Sequence, residues 1–167
     1  MEYTPKDIRR ALLDRNPQIV HFSGHGFGVS RPDAPSDKPP TDCRDISFVL
    51  EGETGPEGLL LEDETGHSKL ISTDAIAHLF SLFSDEIECV VLNTCYSATQ
   101  AEAIIRHIPY VVGMKKAIGD RAAIDFTLGF YDALLAGRSV EFAYQLGCNA
   151  IQLQGIPEHL TPVLKKK

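Results

Sequence analysis

Three short runs, residues 18–23, 89–93 and 109–113, are too brief for helices and too apolar for anything but buried strands. Around them, apolar residues recur at helical spacing. Thr4-Pro5-Lys6-Asp7 reads as a helix start, with Thr4 as N-cap, Pro5 at the first helical position and Asp7 complementing the dipole. Ile8, Ala11, Leu12 and Arg15 continue that helix, and Asn16-Pro17 ends it. Ile76, Leu79, Phe80 and Phe83 form a second helical stripe capped by Ser72 or Thr73, and Ala101, Ile104, Ile105 and Ile108 mark a third helix. Two helices close the chain. Asp120 is expected to cap the first, whose apolar stripe is Ile124, Leu128, Tyr131 and Leu135, with Gly137 as its stop. Ser139 is expected to cap the second, which buries Ala143, Leu146, Ala150 and Leu153. Helices alternating with such strands imply an α/β fold whose mostly parallel sheet is covered on both faces.

In open parallel sheets, sites gather at the carboxyl ends of the strands. The first run leads through Ser23-Gly24 into His25-Gly26, and the second through Asn93-Thr94 into Cys95-Tyr96-Ser97. The loop of residues 113–120 leaves the third run at the same expected rim. A thiol beside an imidazole is a nucleophile beside its base, so His25 and Cys95 form a candidate dyad. Gly24 and Gly26 let backbone approach a ligand closely. The N–H groups of Gly26 and Cys95 are candidate donors to the oxyanion of a tetrahedral intermediate. Taken singly, a His-Gly or a lone cysteine is weak evidence, and it is their joint placement after parallel strands that carries the reading.

A chain of 167 residues is read as one domain, residues 1–167, long enough to bury a substantial core. Its net charge of -7 argues against nucleic acid as a partner, and no apolar stretch is long enough to span a membrane. The one basic run, Lys165-Lys166-Lys167, is taken as a solvated tail. Nothing at the amino terminus resembles a secretory signal, so a cytoplasmic setting with reduced thiols is expected. Cys43, Cys89, Cys95 and Cys148 show no close pairing of the kind used by zinc or redox motifs. Cys89 and Cys148 read as core residues, and Cys43 has no assigned role. No cofactor or metal site is expected.

Residues 27–45, with four prolines and four aspartates, read as a long surface loop. Residues 46–50 and 59–61 are strand candidates, and the turn chemistry of residues 62–67 before Lys69-Leu70-Ile71 predicts a small antiparallel hairpin. His21 is expected to be packed or hydrogen-bonded within its strand. His67, His78, His107 and His159 have no comparable setting.

Phe22-Ser23-Gly24-His25-Gly26 and Leu92-Asn93-Thr94-Cys95-Tyr96-Ser97 resemble the histidine and cysteine motifs of caspase-like peptidases, most closely the bacterial CHAT domains related to separases and caspases. Val112-Gly113-Met114, Gly119-Asp120, Gly129-Phe130-Tyr131 and Ala136-Gly137-Arg138-Ser139-Val140 resemble the later part of the same domain, so the likeness runs over residues 5–155. The resemblance implies a caspase-hemoglobinase-like three-layer sandwich and cysteine endopeptidase activity, with His25 as general base and Cys95 as nucleophile. It also implies a protein substrate and a regulatory or sensor partner, with a role in signalling or defence. Complete domains of the family usually begin with a further strand and helix, which leaves a shortened domain as the expectation here. By the same likeness, Asp120 matches an acidic residue that selects a basic side chain in a specificity pocket. Asp33, Asp37, Asp42 and Asp45 could line that pocket, but lack the regular spacing of a calcium loop. The alternatives are a non-catalytic interaction module of the same fold and a cysteine hydrolase acting on small amides.

Overall fold

The computed structural model describes residues 4–24, 26–27, 58–63, 65 and 67–167. Helix α1, Pro5–Arg15, begins in a capping box: Thr4 Oγ1 accepts the Asp7 N–H, and the Asp7 carboxylate accepts the Thr4 N–H. It ends at Asn16, which adopts a left-handed φ of 44° while its N–H donates to the Leu12 carbonyl. Ile8 and Leu12 are its buried residues, whereas Ala11 is exposed.

Strand β1, Ile19–Ser23, pairs in parallel with β5, Cys89–Asn93, which pairs in parallel with β6, Tyr110–Met114. Strand β7, Pro162–Lys166, adds antiparallel to β6, giving a mostly parallel sheet of order β1-β5-β6-β7. All of β5 is buried, as its unbroken apolar run predicts. β1 is only half-buried, because it lies at the edge of the described sheet rather than inside it.

A second, antiparallel sheet has the order β2-β3-β4, from Gly26–Phe27, Gly58–Glu62 and Ser68–Ser72. The expected hairpin is its β3-β4 pair, with Leu59 opposite Ile71. β2 is too short to carry any periodic signal and was not legible in the sequence. Residues 46–50 and most of the long loop lie outside the described residues.

Alternation along β5 divides the core. Val90 and Leu92 face α2, Thr73–Ser81, and α3, Ala98–Ile104, together with Ile8 and Leu12 of α1. Cys89 and Val91 face α4, Asp120–Leu135, and α5, Val140–Leu153. The molecule is therefore a three-layer α/β/α sandwich of the caspase-like type. Ser72 caps α2 and Ser139 caps α5 through their side chains, as expected. α3 ends sooner than its stripe predicts, so Ile105 and Ile108 follow the helix, with Ile108 still buried.

Three expectations need correction. In α4 the stripe of Ile124, Leu128 and Leu135 faces solvent, at 57%, 57% and 87% exposure, while Ala122, Phe126, Gly129, Phe130 and Ala133 face the core. Two apolar faces compete on this helix, and the one with two phenylalanines and a glycine wins. A Cβ at Gly129 would lie 2.8 Å from the Leu146 carbonyl oxygen, and one at Gly147 2.8 Å from the Phe126 ring, so the two glycines set how closely α4 and α5 approach. On α5, correspondingly, Gly147 and Ile151 are buried and Leu153 is exposed.

Asp120 is the first residue of α4 rather than its cap. That place belongs to Gly119, whose N–H donates to Glu158 at 2.8 Å.

Finally, Lys165 and Lys166 lie in β7, not in a tail. Lys165 pairs with Glu102 at 2.5 Å and Lys166 with Glu141 at 2.8 Å. Lysines on the outer strand of the described sheet discourage edge-to-edge association. Among the described residues, no helix is long and apolar enough to cross a membrane.

Candidate active site

The parallel ladder aligns Ser23 at the end of β1 with Asn93 at the end of β5. Both strands therefore release their chains at one rim, and β6 ends on the same side. From Ser23 the backbone continues to Gly24, and Gly26 then pairs with Leu59 in the second sheet. His25, between them, lies outside the described residues, as do Cys43, Asp33, Asp37, Asp42 and Asp45.

Cys95 is half-buried, with its Sγ 3.9 Å from the Ile118 carbonyl oxygen. The chain turns sharply after it, because Tyr96 adopts a φ of 59°, a left-handed conformation uncommon for a bulky residue. The Tyr96 N–H donates to the Lys116 carbonyl.

The turn is fixed from below by Ser97, whose fully buried hydroxyl lies 2.8 Å from the carbonyl oxygens of both Leu92 and Thr94 and accepts the Met114 N–H at 2.9 Å. One side chain thus joins the end of β5, the cysteine turn and β6. Gly113 makes this possible. A Cβ there would sit 2.9 Å from the Ser97 carbonyl oxygen and 2.9 Å from the Ala101 Cβ.

The other described cysteines differ in setting. Burial, with the Glu88 charge next to it, pushes the Cys89 thiol up to about 12, and burial also raises Cys148. Neither is suited to form a thiolate at neutral pH.

Beside the rim is a groove of about 490 Å³, lined on the sheet side by His21, Ser23 and Asn93 and on the helix side by Asp120, Ile124 and Leu128, among others. Asp120, the sequence candidate for substrate binding, stands exposed at this groove. His21 is stacked on Tyr131 with ring centroids 5.7 Å apart, and its Nδ1 lies 3.2 Å from the Tyr131 hydroxyl. Burial holds the imidazole below its ordinary value of 6.5. This is the packed, hydrogen-bonded role expected of it.

Asn93, which the sequence offers only as the strand end that leads into the cysteine motif, is a buried side chain lining this groove. Its signal was a polar amide closing an otherwise apolar run, directly before the cysteine motif. Among the described residues, no group of three or more His, Cys, Asp or Glu side chains is arranged to hold a metal ion.

No curated protein matches the chain. Residues 1–145 match the CHAT domain, a family associated with caspase-like cysteine peptidases. That match spans most of the 167 residues and agrees with the three-layer sandwich, and the chain belongs to the CHAT-domain family.

Proposed function

We propose that this chain is a cysteine endopeptidase domain in which His25 and Cys95 work as a dyad on protein substrates. His25 accepts the Cys95 thiol proton as sulfur attacks the scissile carbonyl carbon, and the Gly26 and Cys95 N–H groups stabilise the resulting oxyanion. Collapse breaks the C–N bond, and the imidazolium returns its proton to the departing amine. Water, deprotonated by His25, then hydrolyses the thioester and frees Cys95. Asp120 contributes to binding a basic side chain before the scissile bond. The domain works as a regulated effector in bacterial signalling or defence, in the cytoplasm and under the control of a sensor protein or domain.

The observation that carries this reading is the alignment of Ser23 with Asn93 in a parallel ladder, which sends the two motif segments off the same rim. The experiment is cleavage of a peptide library by the chain and by its Cys95→Ala and His25→Ala variants. Both substitutions are expected to abolish cleavage while leaving the far-ultraviolet circular dichroism unchanged, and full activity in either variant refutes the dyad. A second reading, a non-catalytic interaction module, draws on the solvent-facing apolar stripe of α4. Absence of cleavage by the parent chain favours it.

A further inference from the structure

Residues 115–119, which join β6 to α4, have no regular structure, yet their backbone meets the cysteine turn twice. The Lys116 carbonyl accepts the Tyr96 N–H at 3.4 Å, and the Ile118 carbonyl oxygen lies 3.9 Å from Cys95 Sγ. Where these two carbonyls stand therefore bears on where the sulfur stands. Tyr96 needs such support, since a φ of 59° in a bulky residue is a strained conformation that persists only when its surroundings impose it.

The loop is anchored at both ends by the turn that precedes β7. At its start the Lys115 N–H donates to the Thr161 carbonyl at 3.0 Å, and at its end the Gly119 N–H donates to the Glu158 carboxylate at 2.8 Å. The Thr161 N–H donates to the Glu158 carbonyl at 2.9 Å, which makes the two anchors one unit. Gly119 is the N-cap of α4 and has no side chain with which to cap it. In a capping box the third helical residue returns a carboxylate to the N-cap N–H, but here that residue is Ala122. Glu158 supplies the carboxylate from another element, with its charge at the favourable end of the helix dipole.

We infer that Glu158 is a positioning residue for Cys95: its bond to Gly119 holds the loop where the Lys116 and Ile118 carbonyls support the cysteine turn. The side chain acts through this backbone and touches neither substrate nor reacting atoms. The inference rests on the proposed peptidase reading for the role of Cys95, and adds a residue that lies in neither sequence motif.

The test compares the full chain with Glu158→Ala, Glu158→Gln and Ser139→Ala by NMR and by cleavage of a peptide selected from the library. Ser139→Ala removes the side-chain cap of α5 and so reports what loss of a helix cap does by itself. In Glu158→Ala the Tyr96 amide is expected to exchange about tenfold faster or more relative to the buried Val91 amide of β5, the scale of a lost hydrogen bond to a charged group. The Cys95 side-chain couplings are expected to average between rotamers, and kcat to fall about tenfold or more, as a small misplacement of a reacting group costs. Glu158→Gln, whose amide oxygen can still accept the Gly119 N–H, is expected to stay within about threefold of the parent in exchange and kcat. Ser139→Ala is expected to change none of the three. If Glu158→Ala fails to fold, Gly119→Pro takes its place, because it removes the donor at a φ of -72° that proline adopts. Parent-like Tyr96 exchange and Cys95 couplings without the Glu158 bond, the same changes in Ser139→Ala, or no rescue by Glu158→Gln overturns the inference. A parent that cleaves nothing, with a cysteine turn ordered by Glu158, keeps the positioning role and loses the peptidase reading. Cleavage at full kcat in Glu158→Ala does the reverse.

Discussion

Ser23 and Asn93 are register partners at the ends of two adjacent parallel strands. His25 and Cys95 each lie two positions beyond that pair, so both motif segments leave the sheet at equal distance from an aligned rung. In an antiparallel pairing the same residues would depart from opposite ends. The strand direction, more than either residue type, makes a shared site feasible.

Gly113→Ala is expected to destabilise the fold by about 1–3 kcal/mol, the usual cost of forcing a methyl group into a filled space. The Cβ would press on the Ser97 carbonyl oxygen and the Ala101 Cβ, neither of which is the far end of a flexible side chain. Urea denaturation measures the loss. Gly24→Ala, whose Cβ would meet nothing within 4 Å among the described residues, serves as the control and stays near parent stability.

Ser97→Ala leaves the buried Met114 N–H without its acceptor and removes a donor from the Leu92 and Thr94 carbonyls. A loss of about 1–3 kcal/mol is expected in the same measurement. Because Ser97 pins the turn after Cys95, thiol alkylation in the native state should change as well, whereas reactivity in urea should not.

Stability should decline on the acid side through His21. Burial lowers its folded-state pKa below 6.5, so the unfolded chain takes up the proton first. The His21 contribution is therefore complete above about pH 6.5 and is lost as pH falls from there through the lower folded value. Unfolding free energies at pH 7.5 and 5.5 should differ more in the parent chain than in His21→Phe. An identical pH response in the two removes this assignment.

At the opposite sheet edge, the Glu141 carboxylate accepts hydrogen bonds from Lys166 and Tyr110, and these hold its pKa down to about 2. Carbon-detected NMR titration should show Glu141 ionised well below the ordinary glutamate range. Glu141→Gln should speed amide exchange in β7 while leaving β5 protected.

Much of this architecture is legible in the residues. Thr4-Pro5-Lys6-Asp7, Ser72 and Ser139 announce helix starts through local hydrogen bonds, and the apolar run of β5 announces burial on both faces. What the sequence hides is decided by tertiary packing. The choice between the Ile124–Leu128 and Phe126–Phe130 faces of α4 depends on α5 closing over Gly129, a contact with no local trace. β7 is concealed because three lysines in succession mimic a solvated tail, although two of them find glutamates on α3 and α5. Ser97 reads either as a residue that shapes the pocket beside Cys95 or as the start of the following helix, whereas its hydroxyl bonds across to β6, which only the fold brings near.

The most direct test is the rate of Cys95 alkylation by iodoacetamide at neutral pH, resolved by mass spectrometry, in the parent chain and in His25→Ala. Cys95 is predicted to react well ahead of Cys89 and Cys43 in the parent, and His25→Ala to slow Cys95 alone by about tenfold or more, the scale of losing an activating imidazole. A Cys95 rate that is the same with and without the imidazole would contradict the dyad.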